Sequence, residues 1–431
     1  MKYIQLILIF VTISITISCN NHKTKQITNS KDYNSFLNLT ENTSLKNAIN
    51  DLNFWGNKLK QAPSQYPYHS KIAAANSNIF KLTGNIQQLK EAEKNLITAN
   101  EKTNYNNTGY LRSLATNYIS QHRFQEALEL LTKAEFIGEK LQQTHLMLID
   151  VYLELGNLQK VEEYLSKVQN FKDFDYLIRV SKYNDHIGNL DKAIVYLEKS
   201  LDIATSSKNK NLMQWNYTNL ADYYGHAGRI KESYNAYLKA LSINPNNTYA
   251  KKGIAWIVYS YERNPKEALR ILETVSRENA GPESHLLKAE IADFMGNRNE
   301  QEKQITLYKS KVTNQNYGAM YAKYNVLLFA EDDSNQSKAI AIAKQEVASR
   351  PTAQSYDLLA WSFFKNGNHK KAMQIVKNHV IGKTFEPEAL LHTAYILKAN
   401  GKHTEAKKLK TELLGAIYEL GPNSEQEIHT I

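Results

Sequence analysis

The sequence predicts an all-α fold in which about nine to ten helix-turn-helix repeats stack into a superhelical solenoid. A small residue recurs at intervals of roughly 34 residues, after a turn that often contains Gly. Apolar residues within each interval are spaced as they are on one face of a helix. The 431 residues include 17 Gly and 8 Pro, which is too few breakers for a chain built from many short strands.

The recurring small position defines the period of the predicted array. In chain order it is occupied by Ala92, Ala127, Val161, Ala193, Ser233, Ala268, Gln301, Ala339, Ala372 and Ala406. Successive spacings are 35, 34, 32, 40, 35, 33, 38, 33 and 34 residues. The copies around Gln301 and Ala339 match the pattern least well. The two long spacings predict longer loops, which we place at 206–211 and 331–337.

The copy at 215–245, WNYTNLADYYGHAGRIKESYNAYLKALSINP, shows the pattern best. Ala221 lies in the apolar stripe of its first helix, Gly228 supplies the turn, and Ser233 lies in the stripe of its second helix. Pro245 ends the second helix because it lacks an N–H and disfavours helix in the residue before it. This order of aromatic, small, Gly and Pro residues resembles the tetratricopeptide repeat, and by period the resemblance covers roughly nine tenths of the mature chain.

The resemblance implies a repeat array over 69–414 whose concave face is lined mainly by first helices. Terminal copies of such arrays are atypical because each must cover the exposed end of the stack. We therefore expect an N-terminal cap helix within 44–68 and a C-terminal cap and tail at 415–431.

The first 18 residues have the shape of a secretory signal. Lys2 precedes an apolar run from Ile4 to Ile17, which is shorter than the roughly 20 residues of a membrane span. Cys19, the single cysteine of the sequence, follows this run and has no partner for an internal disulfide. The segment resembles a bacterial lipoprotein signal peptide, which implies cleavage before Cys19 and lipidation of its thiol. Two alternatives stay open: ordinary signal cleavage nearby, or an uncleaved anchor with a free Cys19.

Residues 19–43 are polar and contain few large apolar side chains, which predicts a flexible tether between the lipid and the array. Asn20 lacks the acidic character that, by the same resemblance, retains lipoproteins at the inner membrane. The expected location is therefore the periplasmic face of a bacterial outer membrane.

Motifs for catalysis, cofactors or metals are missing from the sequence. It contains no H-E-x-x-H, G-x-S-x-G or G-x-G-x-x-G motif and no paired cysteines for zinc, and Gly382 to Thr384 match only the end of a phosphate-binding loop. The histidines show no metal spacing; His369 and His403 fall at helix-pair turns. The net charge of +10 permits a nucleic-acid partner, but the lysines are spread along the chain among carboxylates. We therefore predict no enzyme, no cofactor, no metal and no nucleic acid.

Polar and aromatic residues beside the apolar stripes are the candidates for a partner-binding groove. In the best copy Trp215, Asn219, Asp222 and His226 share one helix face. Related positions in other copies are Arg112, Asp150, Arg179, Lys182, Glu290, Asn325, Trp361 and Tyr395. The order of residues in the family's clamp for a C-terminal carboxylate is not found here; Arg179 and Lys182 with Asn219 are only a fragment of it. Solvated, inert side chains are the alternative for any one of these residues.

These features predict a non-catalytic, membrane-anchored scaffold or adaptor that binds a peptide or protein in the concave groove. The alternative is a glycan- or nutrient-binding outer-membrane lipoprotein, in which exposed Trp215 and Trp361 would serve as aromatic platforms.

Overall fold

Ten helix pairs follow one another along the chain and confirm the predicted all-α solenoid. A computed structural model of the chain describes residues 26–38, 41–279 and 281–431. Pairs 1 to 5 are α3 (Pro67–Thr83) with α4 (Ile86–Lys102), α5 (Thr108–Ser120) with α6 (Phe124–Ile137), α7 (Leu141–Glu154) with α8 (Leu158–Lys167), α9 (Phe174–His186) with α10 (Leu190–Ser206), and α11 (Lys210–His226) with α12 (Ile230–Ile243). Pairs 6 to 10 are α13 (Thr248–Trp256) with α14 (Pro265–Glu278), α15 (Glu283–Phe294) with α16 (Arg298–Val312), α17 (Ala322–Ala330) with α18 (Gln336–Ser349), α19 (Ala353–Lys365) with α20 (His369–His379), and α21 (Pro387–Ala399) with α22 (His403–Gly415). Helices α1 (Ser30–Tyr33) and α2 (Thr43–Gln61) precede the array, and α23 (Ile417–Leu420) and α24 (Ser424–Thr430) follow it.

The recurring small residues lie in the core of this stack. Nine of the ten are at most 1% exposed, and Gln301, in the weakest copy, is half-buried. Small side chains at these positions let the helices of a pair approach closely, so the period read from the sequence marks packing positions.

Several turns between the two helices of a pair are formed by a Gly-Asn dipeptide. In pair 3, Gly156 has φ of 71°, a left-handed conformation that suits Gly best. The Asn157 side chain then accepts a hydrogen bond from the backbone N–H of Lys160 and caps α8. The same arrangement recurs at Gly367 with Asn368 in pair 9.

The predicted loop at 206–211 is wrong. Helix α10 continues to Ser206 and α11 begins at Lys210, so the extra residues lengthen the two helices. Asn209 makes this possible because its side chain accepts from the backbone N–H groups of Asn211 and Leu212 and caps α11. In the 38-residue interval, 331–335 does connect α17 to α18, but a longer connection that contains the 3₁₀ turn Gln315–Tyr317 joins α16 to α17.

The array closes on itself, because early pairs contact late ones. Tyr317, which precedes pair 8, packs against Ile86 and Leu89 of pair 1. Arg350, just before pair 9, forms an ion pair of 2.9 Å with Glu154 of pair 3. The turn at 188 in pair 4 lies against Phe385, just before pair 10. The inner face is therefore enclosed where successive turns of the superhelix meet.

The flexible tether predicted for 19–43 is wrong over residues 26–38, which pack on pairs 5 and 6. The backbone N–H groups of Ile27 and Thr28 donate to the Glu262 carboxylate at 2.7 and 2.6 Å. Tyr33 is 2% exposed and its hydroxyl donates to Glu267 at 2.6 Å. One buried aromatic ring and several charge-assisted hydrogen bonds anchor a segment whose composition alone suggests no core.

The C-terminal segment 416–431 also departs from its prediction, because it does not simply cover the end of the array. After α22, α23 turns inward and contacts α11 and the π-helical turn Ile257–Tyr261 of pair 6. The carbonyl of Tyr418 accepts from Trp256 Nε1 at 3.0 Å and from Ser260 Oγ at 2.8 Å. Helix α24 returns to α22, with Ile428 buried.

The predicted signal peptide and Cys19 lie outside the described residues. In the part of the chain that is described, no helix has both the length and the apolar character needed to cross a membrane.

Candidate functional site

The enclosed inner face holds a cavity of about 560 Å³. First helices α11, α13, α15, α17 and α21 supply most of its wall, and α12 and α23 each contribute one side chain. Its carboxylates are Asp222, Glu283, Glu290, Glu388 and Glu419; its rings are Tyr237, Tyr249, Trp256 and Tyr324; and Lys252, Gly253 and four leucines complete it. The prediction that first helices line the concave face is therefore confirmed at this site.

Asp222 is held by two tyrosines from neighbouring helices. Its Oδ1 accepts from the Tyr237 hydroxyl, and its Oδ2 accepts from the Tyr249 hydroxyl at 2.7 Å. Tyr237 belongs to α12 and reaches the inner face because Gly253 presents no side chain in its path. Burial raises the pKa of Asp222, while the two tyrosine hydroxyls oppose the rise by stabilising the charged form.

A π-helical turn sets the direction of Trp256. Helix α13 passes at Trp256 into the turn Ile257–Tyr261, which places one extra residue before α14 begins. Trp256 lines the cavity while Ile257 is fully buried. The indole therefore faces the site and fixes the C-terminal segment through its hydrogen bond to the Tyr418 carbonyl.

Three other carboxylates of the wall have partners within the protein. Glu388 forms an ion pair of 2.6 Å with Lys323, whose positive charge lowers the pKa of Glu388 against the opposing effect of burial. Glu283 accepts from the Tyr321 hydroxyl at 2.8 Å. Glu419 lies 3.9 Å from His226 Nδ1, and burial raises its pKa.

Glu290 differs from these because one of its oxygens is unpartnered. Among the described residues, no group hydrogen-bonds to its Oε1, although that atom is shielded from solvent. Burial raises the pKa of Glu290 to about 7, the Asp293 charge adds to the rise, and a hydrogen bond from Tyr259 opposes it. A shielded carboxylate oxygen without a hydrogen-bond partner is stabilised by any cation or hydrogen-bond donor that reaches it.

The structure brings only a few of the predicted groove residues to the cavity. Asp222 and Glu290 line it, and His226 lies beside it through its contact with Glu419. Trp215, on the same helix face as Asp222, is half-buried against Phe174, and its carbonyl accepts from Asn219 Nδ2 at 2.7 Å.

The two cations of the clamp fragment are paired within the protein. Asp150 lies between Arg179 and Lys182, with N–O distances of 2.8 and 3.0 Å. The guanidinium of Arg179 also donates to the carbonyl of Leu146 at 3.0 Å. These contacts join pairs 3 and 4, so no free cation remains here to clamp a carboxylate.

Arg112 and Trp361, two of the groove candidates, are buried between stacked pairs. Each is 9% exposed. Arg112 donates to Thr144 Oγ1 at 3.1 Å, and Trp361 stacks on His392 with ring centroids 4.1 Å apart. Both side chains join one pair to the next, as expected for large groups between stacked helices.

Asn325 and Tyr395 likewise have internal partners. Asn325 Oδ1 accepts from the Tyr308 hydroxyl at 2.9 Å. Tyr395 is half-buried, and its ring packs against Trp361 with centroids 6.1 Å apart.

Sequence reasoning missed most of the aromatic wall. The pair that contains Tyr249, Lys252 and Trp256 contributed no candidate, although its first helix follows the best copy directly. Leu328 lines the cavity and lies 11 residues before Ala339, the same distance that separates Asp222 from Ser233. The repeat register could therefore have identified it. No repeat signal marks Glu419, because it lies beyond the last copy.

The fold and one family match define the class of protein. Residues 216–247, which cover most of pair 5, match the family model described as Tetratricopeptide repeat. The chain is thus an all-α solenoid that contains a tetratricopeptide repeat at the pair with the clearest sequence pattern. No curated protein matches the chain in sequence.

Several solved structures are similar in their helical arrangement. Yeast Tom70 is 13% identical, with 89% of this chain and 92% of that chain covered and a TM-score of 0.38. Pseudomonas aeruginosa PilF is 15% identical, with 50% and 97% covered and a TM-score of 0.37. A tetratricopeptide repeat protein from Parabacteroides merdae is 17% identical, with 60% and 96% covered and a TM-score of 0.33. At TM-scores below 0.5, these likenesses say nothing about the partner of this chain.

Proposed function

We propose that the chain is a non-catalytic scaffold that binds a segment of a peptide or protein at the cavity on its inner face. Tetratricopeptide repeats bind peptide or protein partners, and the cavity supports such a role here. Its volume of about 560 Å³ falls within the range of roughly 300–1,000 Å³ usual for ligand sites. A site of this size accepts a few side chains of a partner.

We assign no reaction to the cavity. Asp222 accepts hydrogen bonds from two tyrosines and Glu388 pairs with Lys323, and within the described residues no three His, Cys, Asp or Glu side chains are grouped so that they could hold a metal ion. In this proposal the cavity binds its ligand and catalyses no reaction.

We further propose that the chain is exported and lipidated at Cys19, which would place the scaffold at the periplasmic face of an outer membrane. The support is the signal-like segment and the position of the single cysteine after it. Metabolic labelling with a lipid precursor, compared between the wild type and Cys19→Ser, tests this part. Equal labelling of the two proteins would contradict it.

The glycan-binding alternative loses the two aromatic platforms that were named for it. That hypothesis relied on Trp215 and Trp361 as exposed platforms, whereas Trp361 is buried and Trp215 packs against Phe174.

Site-specific photo-crosslinking tests the peptide-binding proposal. We would place a photoreactive phenylalanine analogue at Leu286 or Tyr324, which line the cavity, and at Phe136, which is 91% exposed, as the control position. Expression in native cells should give a discrete crosslinked partner from the two cavity positions and a different or weaker pattern from position 136. Identical patterns at all three positions would refute the cavity as the binding surface.

A further inference from the structure

The wall of the cavity is acidic although the chain as a whole is basic. Five carboxylates and one lysine line the cavity, while the complete sequence has a net charge of +10. Carboxylates that line an enclosed surface with apolar walls create a local negative potential, which concentrates cations there. The local charge therefore predicts a ligand of the opposite sign to the one that the net charge would attract.

Glu290 supplies an observation independent of the number of acidic residues. Asp222, Glu283 and Glu388 each have an internal hydrogen-bond or ion-pair partner. In contrast, Oε1 of Glu290 lacks a partner among the described residues and is shielded from solvent beside Gly421, where an added Cβ would lie 2.3 Å from it, so a ligand reaches this oxygen only if the turn at Gly421 shifts. A buried polar atom without a partner is costly and is usually satisfied by a ligand, an ion or an ordered water.

The rest of the wall favours an organic cation over a metal ion. Tyr249, Trp256 and Tyr324 line the cavity together with Leu286 and Leu327, and the Lys252 ammonium already lies 5.5 Å from the centroid of the Tyr249 ring. Rings of this kind attract ammonium and guanidinium groups, while apolar surface covers an aliphatic stem. The described residues also contain no grouping of His, Cys, Asp or Glu that could hold a metal ion.

We propose that the cavity binds the Lys or Arg side chain of a partner peptide, with the Glu290 carboxylate as its charge partner and the aromatic and leucine residues around its stem. This inference rests on the proposed function and adds the chemistry of the ligand. A free aliphatic amine carries the same chemistry, so the test separates the two sources.

Binding of immobilised peptides to the full chain provides the test. The probes are two pentapeptide libraries with mixed apolar flanks that differ only in a central Lys or a central Gln, and spermidine serves as the free amine. We expect the Lys library to bind about 10- to 100-fold more tightly than the Gln library, the range for a hydrogen bond to a charged group. Glu290→Gln should remove that difference. Glu302→Gln, which changes an exposed glutamate on α16, should keep it.

The possible outcomes distinguish the inference from the proposed function. Equal binding of both libraries, blocked by the cavity-filling change Leu286→Trp, would overturn the cationic ligand while the peptide-binding function stands. Binding of spermidine without either library would overturn the peptide as the source of the cation. Failure of every probe to bind would count against the proposed function itself. Thermal unfolding of each variant confirms that a loss of binding does not reflect a loss of fold.

Discussion

Gly253 lies in α13 at the point where the Tyr237 ring occupies the space that a side chain would need. A Cβ at this position would lie 2.2 Å from Cζ of that ring, well inside contact distance. The ring cannot move aside freely, because Tyr237 is 4% exposed and its hydroxyl donates to Asp222. Overpacking lowers the free energy of unfolding by about 1–3 kcal/mol, and straining the hydrogen bond from Tyr237 to Asp222 lowers it by about as much. Replacing a helical Gly by Ala raises it by about 1 kcal/mol. Gly253→Ala should therefore destabilise the protein by about 1–5 kcal/mol.

Gly56 is the matched control, because it also lies within a helix, α2, and a Cβ there would meet nothing within 4 Å. Gly56→Ala should stabilise its helix by about 0.5–1 kcal/mol. Urea unfolding followed by circular dichroism compares the two variants with the wild type. Repeat arrays need not unfold in one step, so hydrogen exchange of pairs 5 and 6 would localise the change. If Gly253→Ala were as stable as Gly56→Ala, the close packing deduced for the cavity wall would be refuted.

Three further predictions concern the cavity and the two terminal segments. Burial raises the pKa of Glu290 to about 7, so its ionisation removes stability as pH rises from about 4.5 to about 7. Glu290→Gln should therefore raise the melting temperature at pH 8 more than at pH 5, and an equal shift at both would contradict this origin. Tyr418→Ala removes a ring that packs against Gly225 and should expose 416–431 to protease; cleavage at the wild-type rate would refute the docking. Tyr33→Phe removes the donor to Glu267 and should cost about 1–3 kcal/mol in urea unfolding, and an unchanged midpoint would show that this hydrogen bond contributes nothing.

The helix pairs could be predicted because their signals are local. Ala221 and Ser233 lie at small positions of facing helices, Gly228 adopts φ of 70°, and α12 ends at Ile243, two residues before Pro245. Each of these features depends on a few residues of sequence and on the geometry of a single pair. Stacking then repeats the same packing along the chain, so one well-marked copy identifies the architecture.

The cavity could be predicted only in part, because it depends on an irregular helix. The residue 11 positions before the recurring small position is Asp222 in pair 5 and Glu290 in pair 7, and both line the site. In pair 6 the equivalent residue is Ile257, which is fully buried. The extra residue of the π-helical turn instead places Trp256 in the cavity wall. Period alone does not reveal where a helix gains one residue.

The terminal segments were beyond local reasoning for a different physical reason. Their composition indicates little capacity to fold alone, but each docks on a surface formed by residues more than 150 positions away, as Tyr33 does on Glu267 and Tyr418 does on Trp256. Those surfaces exist only once pairs 5 and 6 have folded and packed against each other.

Closure of the superhelix also changes what the repeat can recognise. On an open groove, solvent and salt would screen the carboxylates from one another and from a ligand. In the closed array, the five carboxylates share one concave wall with leucine and aromatic side chains, which strengthens their mutual repulsion. Lys323 and the tyrosines that bond to Asp222 relieve part of that repulsion, but no internal partner satisfies Glu290 Oε1 among the described residues. The closure that limits the site to a few side chains is thus also what makes the site selective for a cation.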